Sequence, residues 1–135
     1  DSPKIQLLGV RGFPGNSINH KNSIFIPNHS KKTFVEGEVD MVSGMGYKNK
    51  ELSNGIFEIK RVVTNLGVFD FNGKNNCMQL LSLHPNVSVD DVIANTGFEI
   101  AIQSDSITSM PSSEELVLIR EVLDPQGIRN TIFGE

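Results

Sequence analysis

The sequence predicts an α/β fold, an open and mostly parallel sheet with flanking helices and one antiparallel hairpin. Three observations carry this. Short runs of β-branched and aromatic residues alternate with capped helical segments. An Asn72-Gly73 pair separates two such runs. Near the start, a glycine-rich segment follows an apolar-alternating run, as when a strand empties into a loop and a helix. With 135 residues, 38% of them hydrophobic, the chain suffices for a single domain, 1–135.

In chain order, Lys4-Ile-Gln-Leu-Leu8 reads as a strand, Gly9 to Gly15 as a loop and Asn16 to Asn22 as a short polar helix. Ser23-Ile-Phe-Ile26 then reads as a buried strand, completing a strand, helix, strand unit. Thr33 to Glu36 and Val39 to Val42 are two further strand candidates, closed by Ser43-Gly-Met-Gly46, whose glycines mark a turn or a close backbone approach. Tyr47 to Gly55 is charged and reads as a surface loop. Ile59 to Thr64 and Gly67 to Phe71 lead across Asn72 to Asn76 into Cys77 to Leu83, the clearest hairpin. Two helices follow, announced by capping-box patterns: Ser88 with Asp91, and Ser112 with Glu115. Leu116, Ile119 and Leu123 fall at spacings of three and four, so they are expected to share one face docked on the sheet; Pro125 ends that helix.

Composition excludes several classes. A net charge of −4 with interleaved acids and bases argues against nucleic acid or an anionic membrane surface as the main partner. One cysteine cannot form an internal disulfide, and no long apolar stretch or signal-peptide pattern appears, so a soluble, cytoplasmic protein is expected. The start at Asp1, almost directly before a strand, suggests part of a longer chain that depends on another polypeptide.

The glycine segment carries the candidate site. Gly9, Gly12 and Gly15 let a ligand approach the backbone, whose free N–H groups can cradle a carbonyl oxygen or an anion. Arg11, between glycines and with no acid nearby in sequence, offers a planar fork suited to a carboxylate or phosphate; an ordinary inter-segment salt bridge is the alternative. Asn16, Asn19 and His20 follow directly and could orient a substrate, although such residues at helix termini commonly bond the backbone. The segment has neither the lysine of a P-loop nor the spacing of a dinucleotide loop. Cys77, within an apolar run, reads as a small buried hydrophobe. His20, His29 and His84 lack zinc-ligand spacing, so no metal site is expected. Glu36, Glu38 and Asp40 alternate and read as a solvated strand face.

Longer motifs add a resemblance. Gly9-Val-Arg-Gly-Phe-Pro-Gly-Asn16, Phe34-Val-Glu36 with Val39-Asp40, Ser43-Gly-Met-Gly-Tyr47, Val63 to Phe71, Ala94 to Glu99 and Leu118 to Gly127 together resemble the C-terminal half of a class I coenzyme A transferase β subunit, the group of glutaconate CoA-transferase. That family's glycine loop ordinarily reads Gly-Ser-Gly-Gly-Ala-Asn. The version with Arg11 and Pro14 is most similar to the branch of ring-opening hydrolases of bacterial steroid degradation. The resemblance implies an acyl-CoA substrate, no tightly bound cofactor, and an αβ or α2β2 heteromer with an α subunit and the rest of the β chain. It also implies that the catalytic glutamate lies outside this chain, in the partner or in the absent segment; Glu36-Gly37 matches a downstream strand instead. Substrate binding by Gly9, Arg11, Gly12, Gly15, Asn16, Asn19 and His20 is the expectation. Glutamyl-CoA transfer is the alternative activity, and a non-catalytic structural role is a third.

Overall fold

The computed structural model describes residues 12–39, 41–47 and 55–133. The strand expected over Lys4 to Leu8, together with Gly9, Arg11, Asp40 and most of the loop between Tyr47 and Gly55, lies outside them. A five-stranded sheet organises the rest, with its strands side by side in chain order. Helix α1 (Gly12–Ile18) leads into β1 (Lys21–Ile26), which pairs in parallel with β2 (Glu58–Thr64). β3 (Gly67–Asp70) and β4 (Gln79–Leu83) continue as an antiparallel meander. Beyond helix α2 (Val89–Asn95), the short β5 (Ala101–Ile102) adds in parallel to β4. The α/β class, open sheet, flanking helices and antiparallel hairpin all stand. The balance differs from a mostly parallel sheet: the outer pairs are parallel and the centre is antiparallel. Asn65 and Leu66 connect β2 to β3 too tightly for a crossover.

Alternation sorts the residues onto the core face. Val62 stands opposite Phe69 and Phe69 opposite Leu80, and these three join Phe34, Met78, Leu83 and Val92 in one buried cluster. Both capping boxes form. Ser88 Oγ accepts from Asp91 N and Ser112 Oγ from Glu115 N, while each acid's carboxylate accepts from the cap's backbone N–H. Each carboxyl is held below its usual range by those hydrogen bonds.

Several expectations are corrected. Thr33 to Glu36 form no strand, nor do Val39, Met41 and Val42, with Asp40 outside the described residues, so Glu36 and Glu38 sit exposed in an irregular segment rather than along a strand face. A turn in which Thr33 N and Phe34 N both donate to Ser30 O drives Phe34 inward, and Gly97 N donates to Phe34 O at 2.7 Å. Gly37, at φ +74°, then turns the chain away. Tyr47 is no surface residue: its hydroxyl accepts from Ile59 N at 2.8 Å and its ring packs on Phe57 and Phe71. Cys77 is exposed on the connection before β4 rather than buried in a strand.

The last long helix departs further. α3 (Ser113–Val117) continues as a π-helix, Leu118–Leu123, closed where Asp124 N donates to Ile119 O. Wider winding breaks the spacing that put Leu116, Ile119 and Leu123 on one face. The segment does not dock on the sheet: Ile119 and Leu123 are 41% and 70% exposed. Pro125 does end it, and Asp124 accepts from Ile128 N and Arg129 N to start α4 (Arg129–Phe133).

His29 binds three elements together in the interior. It is 3% exposed, stacked on Phe34 at 4.0 Å between ring centroids and tilted against Phe69. Thr96 Oγ1 donates to Val92 O, so it accepts the His29 Nε2–H at 2.9 Å. Thr64 Oγ1, which accepts from Leu66 N and Gly67 N, donates to Nδ1 at 3.1 Å. His84 Nε2–H donates to the Thr64 carbonyl. Every polar atom of the His29 ring is satisfied in the neutral form, and a second proton would meet no acceptor.

Burial lowers the His29 pKa from 6.5 to about 4. The unfolded chain binds this proton first, so the stabilisation is complete above pH 6.5 and declines as the pH falls toward 4. Chemical unfolding across that window is expected to show a loss of up to about 3 kcal/mol that His29→Gln does not show. Identical pH profiles for the two proteins would contradict this. Gly97→Ala is expected to cost more than about 2 kcal/mol in the same assay, because a Cβ there would lie 2.5 Å from Glu36 N and Phe34 O.

Candidate functional site

α1 begins inside the segment read as a loop, so Gly12, Gly15 and Asn16 are helical. Pro14 fits because it occupies the first turn, where a backbone N–H has no partner in the helix. Ser17 is buried and its hydroxyl donates to Pro14 O at 3.1 Å. At the other end the exposed carbonyls are capped by side chains. Asn19 Nδ2 donates to Gly15 O at 3.0 Å, and His20 Nδ1–H to Asn16 O at 2.9 Å. Asn22 Nδ2 donates to Ser17 O and His20 O. Seven residues make a marginal helix alone; three side-chain clamps hold this one.

The site residues predicted from sequence thus divide. Gly12, Gly15 and Asn16 come together on one short exposed helix, with Asn19 and His20 in the turn just after it, while Gly9 and Arg11 lie just before it, outside the described residues. Asn19 Nδ2 and His20 Nδ1 bond back to helix carbonyls, while the Asn16 side chain is exposed. α1 carries no charged side chain, so Arg11 is the charge nearest in sequence on its N-terminal side.

The two glycines are informative because the fold does not require them. A Cβ at Gly12 or Gly15 would have nothing within 4 Å, and neither has a positive φ. By contrast, a Cβ at Gly44 would lie 2.9 Å from Phe13 Cε1, so the two segments approach closely here and the ring would have to shift. Phe13, on the inner side of α1, therefore lies over the Ser43 to Gly46 segment. Beneath it is a cleft of about 40 Å³ lined by Phe13, Met45, Ile24, Phe57 and Ile59, with Ser17 and Asn22 at its base. Sequence reading flagged 43–46 as a turn or a close backbone approach without identifying Phe13 as what approaches; the Gly44-Met-Gly46 spacing was the available signal. It also missed the structural role of His29, weighed there only as a metal ligand.

Elsewhere, among the described residues no group of three or more His, Cys, Asp or Glu side chains could hold a metal ion. Nor, among them, is any helix long and apolar enough to cross a membrane.

Comparison with known proteins bears out the resemblance read from the motifs. The chain is 47% identical over 132 residues to the cholesterol ring-cleaving hydrolase IpdB subunit of Rhodococcus jostii, covering 95% of this chain and 52% of that protein. It is 30% identical over 129 residues to one of the subunits of glutaconate CoA-transferase from Acidaminococcus fermentans, covering 91% of this chain and 48% of that one. The crystal structure of R. jostii IpdAB superposes with a TM-score of 0.86 at 45% identity, over 96% of this chain and 54% of the other. That of A. fermentans glutaconate coenzyme A-transferase superposes at 0.79 and 25% identity, over 98% and 51%. The chain spans about half the length of the curated relatives it matches. No protein-family model matches the sequence.

Replacing Gly15 by alanine fills open space and improves helix propensity. Gly15→Ala is expected to raise stability by about 0.5–1 kcal/mol, read as a higher thermal midpoint. A lower midpoint would show that the fold itself demands glycine there.

Proposed function

We propose that this chain, built on the coenzyme A transferase-type fold, is the β-subunit portion of a heteromeric enzyme that hydrolytically opens a carbon ring in an acyl-CoA thioester. The carrying observation is the greater likeness to a ring-cleaving hydrolase subunit, 47%, than to a CoA-transferase subunit, 30%. The glycine segment supports it: Arg11 adds a fixed charge, and Gly12 and Gly15 leave backbone open that packing does not call for. An α subunit and the remaining β segment complete an αβ or α2β2 assembly. Coenzyme A enters as part of the substrate, no tightly bound cofactor takes part, and a cytoplasmic location suits such a substrate.

In this reading a glutamate outside the chain acts as base and activates water. The hydroxide adds to the ring ketone of a β-keto thioester, and the bond between that carbon and the thioester α-carbon breaks. Its electron pair remains as the thioester enolate, which takes up a proton, leaving a ring-opened carboxylate. Arg11 holds a substrate carboxylate or polarises the ketone, and the open backbone around Gly12 and Gly15 admits the acyl group. Steroid-derived rings are the substrate class suggested by the hydrolase likeness.

Glutamyl-CoA transfer is the second reading, favoured by the superposition on glutaconate CoA-transferase at a TM-score of 0.79. There a glutamate outside this chain attacks the thioester carbonyl, expelling CoA thiolate and forming an acyl-glutamyl anhydride; the thiolate then attacks the glutamyl carbonyl, releasing the carboxylate and leaving a glutamyl-CoA intermediate, and glycine-loop N–H groups stabilise the oxyanions. Intact mass spectrometry of the reconstituted complex after acyl-CoA and hydroxylamine or borohydride trapping separates the two. Ring-opened product without an adduct is expected; a trapped glutamyl adduct on either polypeptide would establish transfer. Arg11→Ala should lower kcat/KM about 10- to 100-fold, and Arg11→Lys nearly as much, because lysine lacks the planar fork. Unchanged turnover in both would remove Arg11 from the mechanism.

A further inference from the structure

The segment from Ser113 to Leu123 is wound into helix without being buried. Ser112 caps it and Asp124 N closes it at Ile119 O, yet no residue of α3 or of its π-helical extension is buried. Val117, Leu118, Ile119, Val122 and Leu123 are all exposed. Ser113, Glu114, Val117, Leu118 and Val122 line an open groove of about 390 Å³. Two of the nearby carboxylates are already committed: Glu115 accepts from Ser112 N, and Asp124 from Ile128 N and Arg129. Short helices owe their stability in water to packing of an apolar face rather than to intrinsic propensity. This one has its apolar side chains and lacks the cover.

Two observations select what covers it. Interfaces between separately folded proteins ordinarily surround an apolar centre with a polar rim, whereas a surface apolar on more than one side resembles a domain core cut in half. Here Leu118 and Val122, four residues apart, line the groove, while Ile119 and Leu123, also four apart, are exposed beside them. The second observation is length. The matched part is 52% of the R. jostii IpdB subunit and 54% of the chain superposed in R. jostii IpdAB, so these relatives carry nearly as much of the same polypeptide again.

We propose that the groove along Val117, Leu118 and Val122 is covered by an apolar segment of the same β polypeptide, from the part outside these 135 residues, and not by the α subunit or a second copy. The proposal rests on the reading of this chain as the β-subunit portion of a larger enzyme. It names the surface by which that portion joins the rest of its own subunit.

The test uses the assembled enzyme, with its α subunit and complete β chain. A benzophenone amino acid replaces Val122, the complex is irradiated, and the crosslinked peptides are identified by mass spectrometry. A crosslink within one β chain, to a peptide outside the 135 residues, is expected. A crosslink to the α subunit, a crosslink between isotopically distinct β copies, or none at all would overturn the proposal. Val122→Thr keeps the shape of the side chain and adds one hydroxyl, so assembly should survive even where the bulkier group prevents it. Enclosed by apolar chain, that hydroxyl should raise the unfolding constant of the β chain in the complex about tenfold. An unchanged constant would mean that Val122 stays in water and would overturn the proposal independently. Acyl-CoA turnover by the native complex is followed in parallel. Turnover together with a crosslink to the α subunit would overturn the groove assignment alone, whereas the expected crosslink without turnover of any acyl-CoA would support the groove and overturn the enzymatic reading.

Discussion

One buried imidazole holds the described fold together. His29 lies between the threonine that ends β2 and the threonine that ends α2, with Phe34 stacked on its face. Remove it and the segment after β1, the tight β2–β3 connection and the helix over the core lose their common anchor. The same hydrogen-bond set fixes Thr64, which also accepts from the two amides of that connection and offers its carbonyl to His84. A neutral histidine suits this place because it presents one donor and one acceptor to two hydroxyls that each retain a single usable role.

Around that anchor the molecule has two unlike halves. The antiparallel centre of the sheet and α2 form a dry core with every buried polar side-chain atom partnered, among the described residues. The margins are different. α1 stands at one edge with open glycine backbone, and α3 with its π-helical extension carries Val117, Leu118, Val122 and Leu123 all exposed. A helix apolar around most of its circumference is ordinarily enclosed by protein. Burial is therefore concentrated where β-meander and α2 meet, and the edges bear the groups available to ligands and other polypeptides.

The parts legible in the sequence were those decided by neighbours a few residues apart. Ser88 with Asp91 and Ser112 with Glu115 act within one helical turn, and their caps form. The runs joined through Asn72 and Gly73 pair as expected because alternation specifies which side faces the core. What sequence alone could not supply was decided over longer distances. Thr33 to Glu36 has strand-forming residues, yet Phe34 gains more by stacking on His29 and by offering its carbonyl to Gly97 than by extending along a sheet edge. Leu116, Ile119 and Leu123 match a helical repeat only if the helix keeps ordinary winding, which it does not beyond Val117. In the candidate site, the glycines and the polar residues after them pointed to α1, whereas Phe13 and its partner Gly44 are thirty-one positions apart and were joined only by folding.

The connection between β3 and β4 leaves the sole cysteine, Cys77, in solvent. It belongs to neither the His29 hub nor the cleft under Phe13. A thiol-directed dye or spin label would therefore attach at one defined point and leave both untouched. The chain comes with a ready site for following its encounters by fluorescence or resonance, and, stored without reductant, with an equally ready route to covalent pairing of two copies.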